Sequence, residues 1–419
     1  MSTPSELYRN AIDLNRFSNS VAKRIAVTYN DLILFAVAEL RGIDELTAPA
    51  KAARLRAILA QLKESLDGWA ETSTLTVTDD LQGLAVLQSE YVANELRQAL
   101  PVNMRTQIRS VQISPQFAQA VATVDPTAIN VVALSDDLQA AVEGVQQTFQ
   151  LTATQGTAIT LPNGKVLNKS FRGLAESQAE LFSKTVRNGL LTGESSAQIA
   201  RRLKGRLQFG DLGPLSPGQV RAAGLSMQQL VQAGGELTSV SNRQVMALVR
   251  TSVNQVATEA RQQVYKANPD IVKRYRYVAV LDSRTSAICR ALDGKVFVLG
   301  KGPMPPQHFN CRSTHVAVID YKGLGIEPPP PSKLRRPNTA FGPLQRGIRG
   351  DSVPGNQTYG EWLNKQPRAV QEDVLGKGKV PYFNRLVRKY GPQDAVRKFV
   401  SADGSELTLK ELKLRYPDD

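Results

Sequence analysis

Both cysteines and both histidines of this 419-residue chain lie between Cys289 and His315. Their spacing is Cys289-x18-His308-x2-Cys311-x3-His315. Thiolate and imidazole are the donors zinc prefers, and two of each make a common structural set. Only His308-x2-Cys311 has the spacing of a zinc knuckle, so other chemistry stays open. A Cys289–Cys311 disulfide would close a loop of about 20 residues, a constraint of about 3 kcal/mol. Two free, buried thiols are a third state. A fourth is hydrolytic: His308 and Asn310 in HFNC resemble part of a ββα-metal nuclease site, which needs a further His or Asp at helical spacing that has no evident position here.

Charged residues flank this stretch. Asp282, Arg284 and Thr285 stand at the end of an expected strand, and Asp293-Gly294 occupies the following turn. Two carboxylates are the makings of an acid–base pair, but nothing in the surrounding sequence holds a substrate. Asp and Thr in such positions bond nearby backbone amides. Arg284 and Arg312 are each placed to pair with Asp282 or Asp293. These residues, with Asn310, read as fixing loops.

The elements that must position the stretch follow from periodicity. YRYVAVLD alternates, with Tyr275, Tyr277, Ala279 and Leu281 on one side, and HVAVIDY (His315 to Tyr321) reads as a second strand. The cysteine–histidine stretch lies between the two. Before it, a helix from about Ser239 to Ala267 presents Val245, Leu248, Val249, Val253, Val256, Ala257 and Ala260, with Arg250 and Asn254 at the margin as structural hydrogen-bonding residues. Two earlier helices break at Thr192-Gly193, with Gly193 as the C′ glycine and Ser195 or Ser196 as the next cap. Arg201, Arg202 and Lys204 suit the end of that second helix. Residues from about Ser5 to Leu100 read as helices, with one ending near Glu71 and another running from about Thr78 until Pro101 stops it. Asn163-Gly164 marks a tight hairpin.

The Ala, Gln, Leu and Val content, with aromatics at 6%, favours helices. The expected architecture is α+β, mainly α: a helical partner-docking region over 1–150, a mixed domain with a small antiparallel sheet over 151–325, an extended arm over 326–357, and a small helical tail over 358–419. No apolar run approaches the ~20 residues of a membrane span, and no signal peptide is visible at the amino terminus. Charge is uneven. Residues 1–200 hold 17 Lys+Arg against 20 Asp+Glu, and residues 201–419 hold 35 against 18. The basic half suits an acidic partner, of which nucleic acid is the commonest. In the Pro/Gly/Arg-rich arm, Lys333, Arg335, Arg336, Arg346 and Arg349 are candidate non-specific DNA contacts, alongside Arg201, Arg202 and Lys204. Gly376-Lys377-Gly378-Lys379 lacks the spacing of a P-loop.

Arg250-Thr251, Leu281-Asp282-Ser283-Arg284-Thr285, Cys289, Leu292-Asp293-Gly294 and Pro305-Pro306-x-His308-x-Asn310-Cys311-Arg312 together resemble the phage Mu protein F-like family. These are minor head, or head morphogenesis, proteins of tailed phages. The resemblance spans roughly 170–419. It implies a non-enzymatic virion protein, associated with portal protein or major capsid protein near the portal vertex or capsid interior, and in the host cytoplasm during assembly. It also implies contact with packaged DNA in some cases. Family members often carry Cys-x2-Cys and then Cys-Arg-Cys; here Ser286 and Ser313 replace two of those cysteines, so a complete zinc chelate needs His315. A metal-dependent nuclease at the same stretch is the alternative from another class.

Overall fold

Long helices open the chain and a small sheet sits downstream of them. The computed structural model describes residues 4–40, 42–115, 117–120, 167–204, 236–328, 353–402 and 404–417. It is mainly helical with one three-stranded antiparallel sheet, the α+β class expected. The Asn163-Gly164 hairpin and the basic residues of the arm lie outside the described residues.

Helix α1 spans Pro4–Ala38 and α2 spans Ala48–Gln98. The expected break near residues 72–77 does not occur. Val77 and Leu81 continue the buried stripe, and the Thr74 and Thr76 hydroxyls donate to the carbonyls of Ala70 and Thr72 one turn back. Such back-bonding lets threonine remain in a helix without breaking it. The local sequence ETSTLTVTDD looks like a boundary, but the apolar phase runs through it unbroken.

After a short α3 (Phe117–Ala120), α4 covers Leu167–Leu191 and α5 covers Ser196–Lys204. Gly193 takes φ +75° at their junction, as expected of a C′ glycine. Ser195 and Gln198 form the cap of α5: Ser195 N donates to Gln198 Oε1 at 2.7 Å, and Gln198 N donates to Ser195 Oγ at 3.3 Å. Helix α6 runs from Glu236 to Ala267.

The described residues divide into two compact units. One lies within Arg16–Leu81 and Lys165–Ser252, the other within Met1–Asn15, Gln82–Gly164 and Val253–Asp419. The first is helical. Trp69 is its centre, edge-on to Tyr29 at 5.3 Å and to Phe171 at 5.6 Å. Its indole N–H, which must find a partner once buried, donates to Ile25 O and Thr28 Oγ1. Arg250 belongs to this unit and donates to Asn19 Oδ1 at 2.8 Å.

The second unit holds the sheet. Strands β1 (Val272–Val278), β2 (Val296–Val298) and β3 (Thr314–Ile319) pair in the order β2-β1-β3. β2 was not legible in the sequence because three residues after a turn carry no usable alternation. On the inner face, Tyr275 and Tyr277 of β1 and His315 of β3 are fully buried. The carboxy-terminal ends of α2 and α6 pack with β1 through Val92, Leu96, Val264 and Val272. Within this core Arg261 of α6 pairs with Glu95 of α2 at 3.0 Å, both nearly inaccessible.

His315 sits edge-on to Tyr265 at 5.6 Å and Tyr275 at 5.4 Å. Its Nε2 is 3.5 Å from Gln262 Nε2, and its Nδ1 has no partner among the described residues. Burial, and after it the positive charge of Arg261, holds its pKa well below the usual imidazole value. The folded protein therefore keeps His315 neutral while the unfolded chain takes up a proton below about pH 6.5. Stability attributable to this site is intact above that pH and is lost as pH falls below it, by up to about 1.4 kcal/mol per pH unit. His315→Phe is expected to lose less stability than the parent between about pH 7.5 and 5.5, read from urea midpoints; equal losses would show that His315 does not govern this window.

Candidate functional site

The site is built where β1 ends. After Val278 the chain turns through Asp282 into α7 (Ala287–Leu292), whose N-cap is Ser286. The Ser286 hydroxyl accepts from Cys289 N at 3.4 Å, which places Cys289 on the first turn, facing inward. From the other side, Asn310 adopts φ 61°, a left-handed conformation that asparagine tolerates better than most residues. Cys311 N donates back to His308 O at 3.2 Å. Asn254 of α6 then holds this turn by donating to Cys311 O at 2.8 Å and Ser313 O at 3.2 Å. Asn254 thus has the structural role its marginal position suggested.

These turns bring three of the four soft donors together. The Cys289 and Cys311 sulfurs are 3.7 Å apart, as free thiols. His308 Nε2 is 3.4 Å from Cys289 Sγ and 2.8 Å from Ser286 Oγ. Its Nδ1 lies 2.8 Å from Phe309 O. That contact places a proton on Nδ1 and turns Nε2 toward the sulfurs, the orientation a metal-ligating histidine needs; as a ligand the ring would give up any Nε2 proton. The ligand atoms of Cys289, His308 and Cys311 lie within 4.8 Å of one another, so the group is able to hold a metal ion.

His315 does not join them. Alternation along β3 turns it to the inner face opposite Tyr277, where it meets Tyr265 and Tyr275 instead. The four-residue set read from spacing is therefore a three-residue group, with Ser286 Oγ at its margin.

The electrostatics are those of a charge pair between sulfur and ring. Burial pushes the Cys289 thiol well up, so it stays protonated. Burial would also raise Cys311, but the Cys289 hydrogen bond and the His308 charge outweigh it and pull this thiol well down. Burial opposes charge on His308, and the Cys311 thiolate overcomes it.

Each oxygen of the two aspartates accepts at least one hydrogen bond from the protein. Asp282, fully buried, takes a bidentate pair from Arg312 and further bonds from Arg284 N and Thr285 Oγ1. Asp293, also fully buried, accepts from Ala279 N at 2.7 Å on one oxygen and from Tyr359 N at 2.6 Å on the other. Gly294 beside it has φ +79° and lies so close to Thr358 that a Cβ would stand 3.0 Å from its methyl carbon.

Tyr359 opens the carboxy-terminal helices: α8 (Tyr359–Asn364), α9 (Arg368–Leu375), α10 (Val380–Tyr390), α11 (Pro392–Arg397) and α12 (Leu409–Arg415). They surround α7. Tyr359 Oη donates to Asp282 O at 2.7 Å. Gln393 donates to the carbonyls of Arg290 and Asp293, and Arg397 to that of Ala291. Arg290 itself reaches Val374 O and Glu406. None of these partners was legible in the sequence, since each lies 66 to 116 positions from its mate.

Of the candidate DNA contacts, Arg201 is exposed near the end of α5. The side chains of Arg202 and Lys204 lie outside the described residues, as do Lys333, Arg335, Arg336, Arg346 and Arg349. Among the described residues no helix is long and apolar enough to cross a membrane.

Residues 180–316, from within α4 into β3, match the family described as Phage Mu protein F like protein, a family of phage head and minor capsid proteins. No curated protein and no solved structure matches the chain. The match stops short of the carboxy-terminal helices that pack on α7.

Asp293→Asn is expected to destabilise by about 1–3 kcal/mol, because an amide presents only one acceptor oxygen and turns its NH2 towards the other backbone donor. Hydrogen exchange at the Ala279 and Tyr359 amides should rise together in this variant; unchanged protection at both would contradict the assignment.

Proposed function

We propose that this chain is a non-enzymatic minor head protein of a tailed phage, which binds portal or major capsid protein and touches packaged DNA without sequence preference. The observation that carries this reading is the engagement of both oxygens of Asp282 and of Asp293 within the protein. Every carboxylate oxygen at the motif accepts hydrogen bonds from the protein itself. A general base must reach a substrate proton or a water, and these two are committed to backbone and arginine. The family match supports the virion setting. An open groove of about 690 Å³ on the helical unit, lined by Leu59, Leu66, Ala175 and Ala179 among others, offers a concave surface for a shell partner. The excess of 35 Lys+Arg over 18 Asp+Glu in residues 201–419 supports contact with DNA.

Zinc fits the thiol–imidazole group by donor type. Cys289, His308 and Cys311 would hold it, and the metal would supply a cross-link between α7 and the 308–311 turn. Native mass spectrometry should find one zinc per chain, lost in Cys311→Ser. Ser286→Cys places a third sulfur, and so a fourth ligand, at the margin of the group and should tighten zinc binding at least about tenfold by chelator competition. Absence of zinc from both the parent and Ser286→Cys would dismiss the metal.

The function is tested with plasmid and duplex DNA. Filter binding should weaken at least about tenfold between 50 and 200 mM salt, and plasmid should stay intact with Mg²⁺, Mn²⁺ or Zn²⁺. Affinity flat in salt would remove the electrostatic account. Cleavage that His308→Ala abolishes would establish the nuclease instead.

A further inference from the structure

One face of the sheet is committed to the core, and the other carries side chains of an unusual mix. Alternation along β1 turns Tyr275 and Tyr277 inward and Arg274 and Arg276 outward. The register sets Arg274 between Val298 of β2 and Val318 of β3, and Arg276 between Val296 and Val316. The outer face is therefore two parallel rows, each a valine, an arginine and a valine. Val296 and Val298 are 43% and 49% exposed, and Arg274 is exposed with Arg276 half-buried. Among the described residues neither guanidinium has an ion-pair partner, whereas Arg261, Arg290 and Arg312 each do.

Scattered surface valines need no explanation, but this arrangement is ordered. Each arginine is flanked by aliphatic side chains that cannot answer its charge, and arginine among apolar groups is the composition of interface centres. A nucleic acid is a poor match, because four valines face it for two charges and no aromatic side chain is there to stack on a base. The dimensions suit a helix. Three strands about 4.8 Å apart make a strip about 10 Å wide, close to the width of one helix. Arg274 and Arg276, two positions apart on one strand, are separated by about 6.8 Å, and carboxylates at i and i+4 of a helix are separated by about 6 Å along its axis.

We propose that the outer face of the sheet is a docking surface for an acidic amphipathic helix of another protein. Two carboxylates one turn apart meet Arg274 and Arg276, and aliphatic side chains on either side lie over the rows of Val296, Val298, Val316 and Val318. This goes beyond the minor-head reading and does not depend on it, since it rests on the sheet alone.

The full chain is titrated against a fluorescent synthetic helix of about 18 residues, carrying Glu at i and i+4 between leucines. A second peptide has Lys at those two positions. Arg274→Glu combined with Arg276→Glu should weaken the acidic peptide at least about tenfold and should bind the lysine peptide in its place. Val296→Ser with Val298→Ser should weaken the acidic peptide while leaving the charge preference unchanged. Circular dichroism establishes that each variant retains its helices. The proposal is overturned if the parent binds neither peptide, or binds both equally. It is also overturned if the charge-reversed variant loses self-association or duplex DNA binding instead, since a second copy or a nucleic acid would then own the face.

Discussion

Two buried aspartates dictate how the sheet unit is assembled. A carboxylate taken out of water needs its lone pairs answered, or the cost exceeds what a small domain tolerates. Asp293 answers with two backbone amides that lie 14 and 66 positions from it, Ala279 at the end of β1 and Tyr359 at the start of α8. Asp282 answers with Arg312 across the turn and with two groups of its own loop. The strand end, α7, the 308–312 turn and the carboxy-terminal helices are thereby constrained to meet at one place. The thiol–imidazole group lies inside that frame.

The group does not create the frame, and this bears on its role. Cys289 is placed by the helix cap, Cys311 by a left-handed Asn310 and by Asn254, and His308 by the hydrogen bond at its Nδ1. Each donor is oriented by something other than a metal. The family resemblance implies two more cysteines at positions that are Ser286 and Ser313 here. Ser286 retains a polar contact with His308 Nε2 at 2.8 Å and caps α7, so the substitution leaves the turn hydrogen-bonded. Structure and chemistry at this stretch are separable, which suits a module whose scaffold outlasts changes in its ligand set.

The helices contribute differently. α6 supplies the helical unit with its amino-terminal portion and the sheet unit with Val253 onward, where Asn254, Arg261 and Tyr265 are among its buried hydrogen-bonding groups. Tyr265 donates no geometry of its own to the cysteines, yet its hydroxyl accepts from Ala317 N and its ring receives His315. The same helix face thus holds β3 through Tyr265 and the turn that leads into β3 through Asn254.

Period and punctuation made the helices, strands β1 and β3, the Gly193 break and the Ser195 cap readable from the chain alone, because those signals act within a turn or two of backbone. Asp282 follows the same local logic, since it bonds Arg284 N and Thr285 Oγ1 within its own turn, whereas the partners of Asn254 and Arg312 lie 30 to 59 positions away. The sequence alone did not show that α2 runs unbroken through ETSTLTVTDD, where burial of Val77 and Leu81 outweighs a run of threonines. Nor did it show which way His315 points, since spacing counts residues while the pleat decides the face. The docking of α8 to α12 on α7 was beyond it as well. Hydrogen bonds such as Gln393 to Arg290 join residues about a hundred positions apart, and nothing local in either segment encodes the other. Tertiary structure alone decided that three donors, not four, share one site, and that valines of β2 and β3 flank the two outward arginines of β1.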